Sequence, residues 1–232
     1  MSTILITGAN KGLGREAARR LLADGHDVWA AARDPGRGLA TAEELGARHL
    51  VLDVADDDSV EAAALTVANA AGGVLDVLIN NAGIAGRIAA AGEVTAADLQ
   101  EVYNVNVLGV VRTLHAFLPL LERSQSPVVV NVSSGLGSLA LTTDPSSPAS
   151  QWIVPAYCSS KAALNMLTTQ YAKAFPAMRI NAVDPGYTAT DLNSNSGTQT
   201  VSEGTDAIVN MATIGPDGPT GTFVNRDGPV AW

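Results

Sequence analysis

The fold is decided by one stretch of the sequence, Thr3-Ile4-Leu5-Ile6-Thr7-Gly8-Ala9-Asn10-Lys11-Gly12-Leu13-Gly14. Its first half is β-branched and apolar, which predicts a buried strand, and a helical pattern with Ala17 and Ala18 follows it. A strand, a glycine loop and a helix in this order suit the binding of a pyrophosphate at the start of the helix. We therefore predict a dinucleotide site here, with a purely structural turn as the alternative.

The glycines of this loop have separate expected functions. Their spacing is Gly-x-x-x-Gly-x-Gly and differs from the commoner Gly-x-Gly-x-x-Gly pattern. Gly8 and Gly12 would let the backbone turn tightly and approach a phosphate, and Gly14 would let the helix pack on the strand. Residues 7–14 are the predicted glycine loop.

The composition favours one domain. With 232 residues and 47% hydrophobic content, the chain can bury one sizeable core, so residues 1–232 are assigned to a single domain. We find no apolar run near eighteen residues and no basic leader, and expect neither a membrane span nor a targeting segment. A net charge of −9 without a Lys/Arg cluster argues against nucleic acid and anionic membranes as partners.

Cysteine and histidine positions limit the chemistry further. Cys158 is the single cysteine, so it cannot form an internal disulfide, which suits a cytoplasmic protein. His26, His49 and His115 are isolated from one another and from Cys158, so we expect no metal site. Cys158 is also a poor candidate nucleophile, because no His partner is evident.

Apolar runs and helical patterns alternate along the rest of the chain. Further strands are predicted over residues 28–32, 49–54, 74–79, 128–132, 179–183 and 221–224. Helices are predicted over 60–71, after Thr95, after Pro155 and over 201–211. Near-continuous apolar strands that alternate with helices are typical of a parallel sheet covered on both faces. The predicted fold class is α/β, a Rossmann-like doubly wound parallel sheet in a single domain.

The end of the second strand predicts which cofactor binds. In dinucleotide sites, an acid near this place accepts a hydrogen bond from the ribose of NAD, whereas Arg accommodates the 2′-phosphate of NADP. Arg33 comes first and Asp34-Pro35 resembles a turn, while Lys11 would add a second positive charge. We therefore predict NADP(H) rather than NAD(H). Asp34 as the residue that points inward, or surface roles for both cations, are the alternatives.

Polar residues follow the third and fourth strands. Asp53 would accept a hydrogen bond from the amine of the adenine base, whereas Asp56 to Ser59 are expected to cap the next helix. The fourth strand ends in Asn80-Asn81-Ala82-Gly83. An amide followed by small residues suits a backbone that lies against a ligand. Asn81, Ala82 and Gly83 are therefore predicted cofactor contacts.

Asparagine and serine mark two further positions. Asn106 lies in a helical pattern where Asn is unfavourable, so we predict a local kink there that holds a water molecule. Ser133 and Ser134 follow the fifth strand and would face the crevice of the glycine loop. Ser134 is the predicted catalytic serine, with Ser133 as the alternative.

Tyr157 and Lys161 lie one helical turn apart and would share a face of the helix that begins near Pro155. An ammonium group close to a phenol lowers the pKa of the phenol by roughly 1–3 units, which would suit Tyr157 for proton transfer. Such a pair also occurs by chance in many helices. The neighbouring motifs therefore decide its meaning.

Two polar segments are expected beside the site. Residues 142–148 are rich in Pro and Ser, and we expect part of the substrate wall there. After the sixth strand come Pro185 and Gly186, and then the hydroxyls of Thr188 and Thr190, which would reach the cofactor. Residues 187–213 are the predicted short substrate lid, and residues 133–161 are the predicted active-site region.

Taken together, these motifs closely resemble the short-chain dehydrogenase/reductase family over nearly the whole chain. Residues 7–14 are similar to its cofactor loop and 80–83 to its motif after the fourth strand, while Pro185-Gly186 is similar to its turn before the lid. The resemblance implies a catalytic tetrad of Asn106, Ser134, Tyr157 and Lys161. It implies further cofactor contacts by residues spread over several loops, namely Asn10, Leu13, Val54, Tyr157 and Lys161. Within the family, Asn10-Lys11 and Arg33-Asp34 resemble NADPH-preferring carbonyl reductases.

The resemblance implies an NADPH-dependent reduction of a ketone or aldehyde, with Tyr157 as proton donor and Ser134 orienting the substrate oxygen. Lys161 would lower the pKa of the phenol and bind the ribose, and Asn106 would hold a water molecule. A non-catalytic dinucleotide sensor or scaffold is the alternative from another class. A sugar-nucleotide epimerase is less suited, because 232 residues leave little room for its extra domain. The long interval between Ser134 and Tyr157 resembles monomeric members, but monomer and homo-oligomer both stay open.

Overall fold

The computed structural model describes residues 1–70 and 72–232. Within them, the strands are β1 (Thr3–Ile6), β2 (Asp27–Ala32), β3 (Arg48–Val51), β4 (Val77–Asn80), β5 (Val128–Val132), β6 (Arg179–Val183), β7 (Phe223–Asn225) and β8 (Gly228–Pro229). The α-helices are α1 (Gly12–Ala23), α2 (Pro35–Leu45), α3 (Asp57–Ala70), α4 (Ala96–Tyr103), α5 (Gly109–Leu121), α6 (Leu139–Thr143), α7 (Pro155–Ala174) and α8 (Val201–Ala212). A π-helical turn, Asn104–Leu108, joins α4 to α5.

The strands form one sheet in the order β3-β2-β1-β4-β5-β6-β7-β8. Every pair is parallel except β7 with β8. The strand order changes direction between β1 and β4, and a crevice forms at such a point outside the carboxyl ends of the strands. The predicted single-domain, doubly wound α/β fold is confirmed.

Alternate side chains of the central strands pack on opposite faces of the sheet. Leu5 belongs to the cluster that contains Phe117 of α5, whereas the adjacent Ile4 belongs to the cluster that contains Leu21 of α1 and Ile208 of α8. All five side chains are fully buried. Burial of one such side chain contributes about 1.5–3 kcal/mol, so the two apolar faces hold the helices on the sheet.

A row of buried polar side chains crosses the middle of the sheet. Thr113 of α5 donates to Asn80 (2.8 Å), Asn80 donates to Asn131 of β5 (2.9 Å), and Asn131 donates to Thr168 of α7 (2.9 Å). Each buried polar group thus has a partner, which avoids the cost of leaving it unpaired. The row fixes α5 and α7 relative to β4 and β5.

Several predicted elements agree with the structure. β5 and β6 have their predicted bounds, and α8 extends one residue beyond the predicted end. α4 begins with a capping box in which Thr95 and Asp98 exchange hydrogen bonds, as predicted for that helix. α3 begins earlier than predicted, at Asp57, and Ala71 at its predicted end lies outside the described residues.

Other elements correct the sequence analysis. Asp34-Pro35 does not form a turn but begins α2, because Asp34 caps that helix and Pro35 takes its first position. The polar segment before Tyr157 contains the short helix α6, and the short strand β8 was not predicted.

The stretch Ala96–Leu121 is long and apolar enough to pass a length and composition test for a membrane span. This differs from the expectation drawn from apolar runs alone. Half of its most apolar 18-residue segment is buried inside the fold, and Phe117 and Leu121 are fully buried there. A core helix of a soluble protein passes the same test.

Candidate active site

A cleft of about 480 Å³ opens beyond the carboxyl ends of β1, β4, β5 and β6. Predicted site residues from the glycine loop and the strand ends line it, namely Gly8, Asn10, Lys11, Gly12, Leu13, Arg33, Asp53, Val54, Asn81, Ala82 and Gly83. Predicted residues from the later part of the chain also line it, namely Tyr157, Lys161, Pro185 and Thr190. Most of the predicted cofactor contacts are thus brought together in one cleft.

The glycine loop is held by the amide of Asn81. The side-chain nitrogen of Asn81 donates to the carbonyl oxygens of Thr7 (2.8 Å) and Gly8 (3.1 Å). Gly8 has φ of +64°, a conformation that favours glycine, and a Cβ at Gly14 would collide with the Asn81 amide. Loop and β4 end therefore form one rigid wall of the cleft.

The two charged residues after β2, Arg33 and Asp34, have different surroundings. Asp34 accepts a hydrogen bond from the backbone N–H of Arg37 (2.9 Å) and forms an ion pair with the Arg37 side chain (3.6 Å). Its carboxylate is thus engaged in capping α2, whereas Arg33 lines the cleft. This arrangement favours a cofactor that carries a 2′-phosphate over one recognised by an acid.

Lys11 has a partner that the sequence analysis did not assign. Its ammonium lies 2.9 Å from the carboxylate of Asp191, at the start of the segment that follows Thr190. Both side chains are mostly exposed to solvent and both residues line the cleft. The pair joins the glycine loop to the opposite wall.

Asp53 lies where the chain leaves β3. One of its carboxylate oxygens accepts from the backbone N–H of Ala55 (2.9 Å), and its own N–H donates to Ser59 (2.9 Å). The side chain is therefore oriented at the cleft wall beside Val54. Asp56 accepts from the N–H of Ser59 (2.7 Å), as expected for a residue that caps α3.

Asn106 lies in the π-helical turn, so the predicted kink is present. Its side chain accepts from the N–H of Ile84 (2.9 Å), donates to the carbonyl of Ile84 (2.9 Å) and donates to Ser160 (3.1 Å). The amide thus bonds to protein groups, and the water molecule expected at this kink stays a prediction. The amide braces the segment that follows Gly83 against α7.

Tyr157, Lys161 and Ser134 meet at the rim of the cleft. The Lys161 ammonium lies 5.7 Å from the centre of the Tyr157 ring, so the pair shares a face of α7 as predicted. The Ser134 hydroxyl is near enough to the Tyr157 phenol to lower its pKa. Lys161 is buried and donates to the carbonyl oxygen of Val132 (2.8 Å).

The acidities of the two groups differ from the expectation. Burial raises the pKa of Tyr157 to about 12, the Ser134 hydrogen bond opposes this rise, and the negative charge of Asp184 adds to it. Burial lowers the pKa of Lys161 to about 8. The net shift of the Tyr157 pKa is therefore upward, opposite to the predicted direction, because burial is its largest cause. The specific effect of Lys161 on the phenol stays a prediction.

Ser133 and Ser134 point in different directions. Ser133 also lines the cleft, but its hydroxyl is buried and donates to the side-chain oxygen of Asn165 (2.6 Å). Ser134 is the serine whose hydroxyl contacts Tyr157. The geometry thus favours Ser134 of the two alternatives.

The turn after β6 departs from the prediction at Thr188. Its hydroxyl donates to the carbonyl of Pro185 (2.9 Å) and lies against Gly204 of α8, so it is turned away from the cleft. Gly186 donates its N–H to Asp184 (3.0 Å), and Pro185 and Thr190 border the cleft. Of the two predicted threonines, only the position of Thr190 suits a cofactor contact.

The predicted lid divides into two parts. Of residues 187–200, Thr190, Asp191 and Leu192 line the cleft, and the segment contains a short 3₁₀ turn, Asp191–Asn193. Residues from Val201 onward form α8, whose Ile208 is fully buried in the core. Trp152 and Tyr187 pack with ring centres 5.6 Å apart, which joins the segment before Tyr157 to this lid.

Two residues of the site were missed in the sequence. Asp184 lies at the end of β6, the same strand-end position that singled out Asp53, so an equal signal was present. Arg112 of α5 donates to the carbonyls of Val54 (3.3 Å) and Asn104 (3.2 Å) and pairs with Asp57 (2.6 Å). No local pattern could predict Arg112, since its partners lie on separate elements.

The cleft fits an extended nucleotide. A Cβ at Gly8 would lie 3.0 Å from the Cα of Ala82, so the backbones of the glycine loop and of the β4 end pack closely beside the place where a pyrophosphate would lie. A Cβ at Gly83 would lie 3.6 Å from the Lys161 ammonium, so this buried cation lies beside a bare backbone at the cleft. Within the described residues, no three His, Cys, Asp or Glu side chains are grouped as a metal site.

Known proteins are similar to this chain in sequence. A family model described as short chain dehydrogenase matches residues 2–201. A (+)-neomenthol dehydrogenase of Capsicum annuum is 30% identical over 298 aligned positions, which cover 96% of this chain and 95% of the relative. An NADPH-dependent pterin aldehyde reductase of Arabidopsis thaliana is 36% identical over 195 positions, which cover 82% of this chain and 76% of the relative.

Solved structures extend the likeness to three dimensions. The NADPH-bound carbonyl reductase from chicken fatty liver superposes with a TM-score of 0.88 at 30% identity, covering 100% of this chain and 99% of that chain. The chain therefore belongs to the short-chain dehydrogenase/reductase family and is an oxidoreductase.

Proposed function

We propose that the chain reduces a ketone or aldehyde to an alcohol with NADPH, and that Tyr157 donates the proton. The observation that carries this proposal is the meeting of Ser134, Tyr157 and Lys161 at the rim of a cleft lined by the glycine loop. The pterin aldehyde reductase of Arabidopsis thaliana is NADPH-dependent by name, and the chicken carbonyl reductase binds NADPH.

The cleft would hold the cofactor along its whole length. The glycine loop and the N-terminus of α1 would bind the pyrophosphate, Arg33 and Lys11 the 2′-phosphate, and Asp53 the adenine. The other proposed contacts are Asn10, Leu13, Val54, Asn81, Ala82, Gly83, Lys161, Pro185 and Thr190, which line the cleft, and Gly186, which follows Pro185. NADPH, when bound, supplies the hydride.

Each rim residue has its own proposed role. Tyr157 is a neutral phenol at physiological pH, since burial raises its pKa to about 12, and is therefore able to donate a proton. Ser134 would hydrogen-bond the substrate oxygen and stabilise the charge that develops there. Lys161, with its pKa lowered to about 8 by burial, would exchange protons near neutral pH and resupply Tyr157.

Asn106 is proposed to act through its position. Its amide clasps both backbone groups of Ile84, so it fixes the cleft wall between Gly83 and α7. A non-catalytic sensor or scaffold was the alternative, but the complete Ser134, Tyr157 and Lys161 group and the names of the relatives favour the enzyme.

The setting of the activity is also a proposal. A small carbonyl compound is the expected partner, in the cytoplasm, without nucleic acid or membrane. The net charge of −9 and the single cysteine support this setting. Both a monomer and a homo-oligomer fit the chain.

The test is a fluorescence titration with NADPH and NADH, followed by a panel of aldehydes, ketones and quinones monitored by loss of reduced-nicotinamide absorbance. We expect tighter binding of NADPH and turnover of at least one carbonyl class. Saturable NADPH binding without any turnover would support the sensor instead.

The variant Tyr157→Phe should bind NADPH as tightly as the wild type but lose turnover. Tyr171→Phe is the matched control, because Tyr171 lies on the same helix and stacks on Phe175 away from the cleft. Substantial ketone reduction by Tyr157→Phe would contradict the assignment of the proton donor.

A further inference from the structure

An unassigned carboxylate ends β6 beside the rim residues. Asp184 accepts a hydrogen bond from the backbone N–H of Gly186 (3.0 Å). Burial raises the pKa of its carboxyl group, and the backbone N–H groups of Gly186 and Gly135 oppose this rise. Its own N–H donates to the carbonyl of Val224 in β7 (2.8 Å). The residue therefore connects the turn after β6 with the turn after β5 and is itself anchored to the sheet.

Through Gly135 and Gly186, Asp184 contacts the immediate neighbours of two residues at the site. Gly135 directly follows Ser134, and Gly186 directly follows Pro185 of the cleft wall. A Cβ at Gly135 would lie 3.0 Å from Oδ2 of Asp184, whereas Gly186 donates to Oδ1, so the two backbones have little space in which to shift. The carboxylate thus fixes the position of the serine turn.

The charge of Asp184 acts on the phenol. The groups that face Tyr157 are Ser134 from the end of β5, Asp184 from the end of β6, and Cys158 and Lys161 on its own helix. Asp184 opposes ionisation of the phenol, whereas the Lys161 ammonium is engaged by the carbonyl of Val132. A like charge disfavours the charged form of its neighbour.

We propose that Asp184 is a positioning residue that holds the Ser134 turn against the Pro185-Gly186 turn and keeps Tyr157 in its proton-donating form into alkaline solution. Asp184 thereby sets the higher of two alkaline transitions of carbonyl reduction, the ionisation of Tyr157, which lies above the proton loss of Lys161 near pH 8. The inference rests on the proposed function for its kinetic consequence, but the effect on the phenol is measurable without turnover.

The first test uses NMR of protein labelled at the tyrosine ring carbon that bears the hydroxyl. The Tyr157 signal is assigned with Tyr157→Phe and titrated in wild type, Asp184→Asn and the exposed control Asp217→Asn. We expect the Tyr157 titration to move to lower pH by roughly half a unit to one unit in Asp184→Asn and to stay in place in the control. Titrations that coincide in all three proteins would overturn the proposal.

The second test separates position from charge by kinetics of the NADPH-loaded enzyme. Asp184→Asn retains an oxygen acceptor, so kcat at pH 7 should fall less than threefold. The fall of kcat/KM that follows Tyr157 ionisation, at higher pH than the fall due to Lys161, should move to lower pH. Asp184→Ala removes both acceptors, so kcat should fall roughly tenfold or more. Equal kcat in the Ala variant and the wild type would contradict the positioning role.

Folding and function are kept apart by two further measurements. Near-ultraviolet circular dichroism verifies each variant, and Asp184→Ser replaces Asp184→Asn if the latter fails to fold, with the same expected shift of the Tyr157 titration. If the wild type reduces no carbonyl compound of the panel, the proposed function fails, while the NMR titration still decides whether Asp184 controls the phenol.

Discussion

Lys11 of the glycine loop and Asp191 of the lid form an ion pair of 2.9 Å across the cleft. Side chains so exposed contribute little to stability, about 0–1 kcal/mol, because water and salt screen the charges. The pair matters more for the cofactor, since Lys11 is one of the two cations proposed for the 2′-phosphate and Asp191 neutralises it.

The variant Asp191→Asn should therefore bind NADPH more tightly, by roughly threefold to tenfold in Kd, while Kd for NADH changes little. Fluorescence titrations of both cofactors at low and high salt measure this, and the gain should shrink at high salt. An equal gain for NADH would mean that the variant acts through lid movement and not through the charge on Lys11.

A single substitution at Asn81 removes two hydrogen bonds of the glycine loop, because its amide donates to the carbonyls of both Thr7 and Gly8. We expect Asn81→Ala to lower the free energy of unfolding by roughly 2 kcal/mol and to weaken NADPH binding roughly tenfold or more. Urea denaturation and cofactor titration measure the two effects.

Asn210→Ala is the control for this variant, since Asn210 lies exposed on α8. It should change neither quantity. Unchanged cofactor affinity in Asn81→Ala would show that the loop keeps its shape without the amide.

Lys161 predicts a stability that depends on pH. Burial lowers its pKa from 10.5 to about 8, so the folded protein holds the charge at a cost of roughly 3 kcal/mol below pH 8. Between pH 8 and about 10 the folded state releases its proton while the unfolded state keeps it, so the free energy of unfolding rises with pH across this window.

The variant Lys161→Met should lack this rise. Near pH 7 the free energy of unfolding of Lys161→Met should exceed that of the wild type by the largest margin. This difference should disappear toward pH 10, where the lost hydrogen bond to Val132 still destabilises the variant. Urea denaturation of the cofactor-free protein at pH 7, 8, 9 and 10 measures it. Lys173→Met, on the exposed last turn of α7, is the control, and parallel curves for Lys161→Met and wild type would contradict the burial of a charge.

The sequence predicted the strand layout well because buried parallel strands are nearly continuous apolar runs. β5 and β6 were located to the residue for this reason. α2 was missed because Gly36 and Gly38 resemble turn residues, although Asp34 as cap and Pro35 at the first position specify a helix start. Glycines that favour a turn and a cap that favours a helix occur together here, and the structure shows the helix.

The sequence could predict which residues form the site, but not the direction in which their pKa values shift. Motifs placed Tyr157, Lys161 and the glycine loop at one crevice because strand ends meet there. The direction of the Tyr157 pKa shift depends on how deeply the phenol is buried and on Asp184, which is remote in sequence. Burial and long-range charge are properties of the assembled fold, so the sequence predicted the opposite direction.

Adjacent serines give the last prediction, because Ser133 and Ser134 should fail in different ways. Ser133 is fully buried and donates to Asn165 (2.6 Å), so Ser133→Ala leaves a buried acceptor without this partner and should lower the free energy of unfolding by about 1–3 kcal/mol with kcat nearly unchanged.

Ser134→Ala removes the hydroxyl that contacts Tyr157, so it should lower kcat by roughly 10²–10³-fold while stability changes little. Steady-state kinetics on one carbonyl substrate and urea denaturation of both variants give a two-by-two comparison. Loss of turnover in Ser133→Ala together with loss of stability in Ser134→Ala would contradict the assignment. Ser133, which bonds to Asn165, would then be the catalytic serine, and Ser134 beside the phenol would have a structural role.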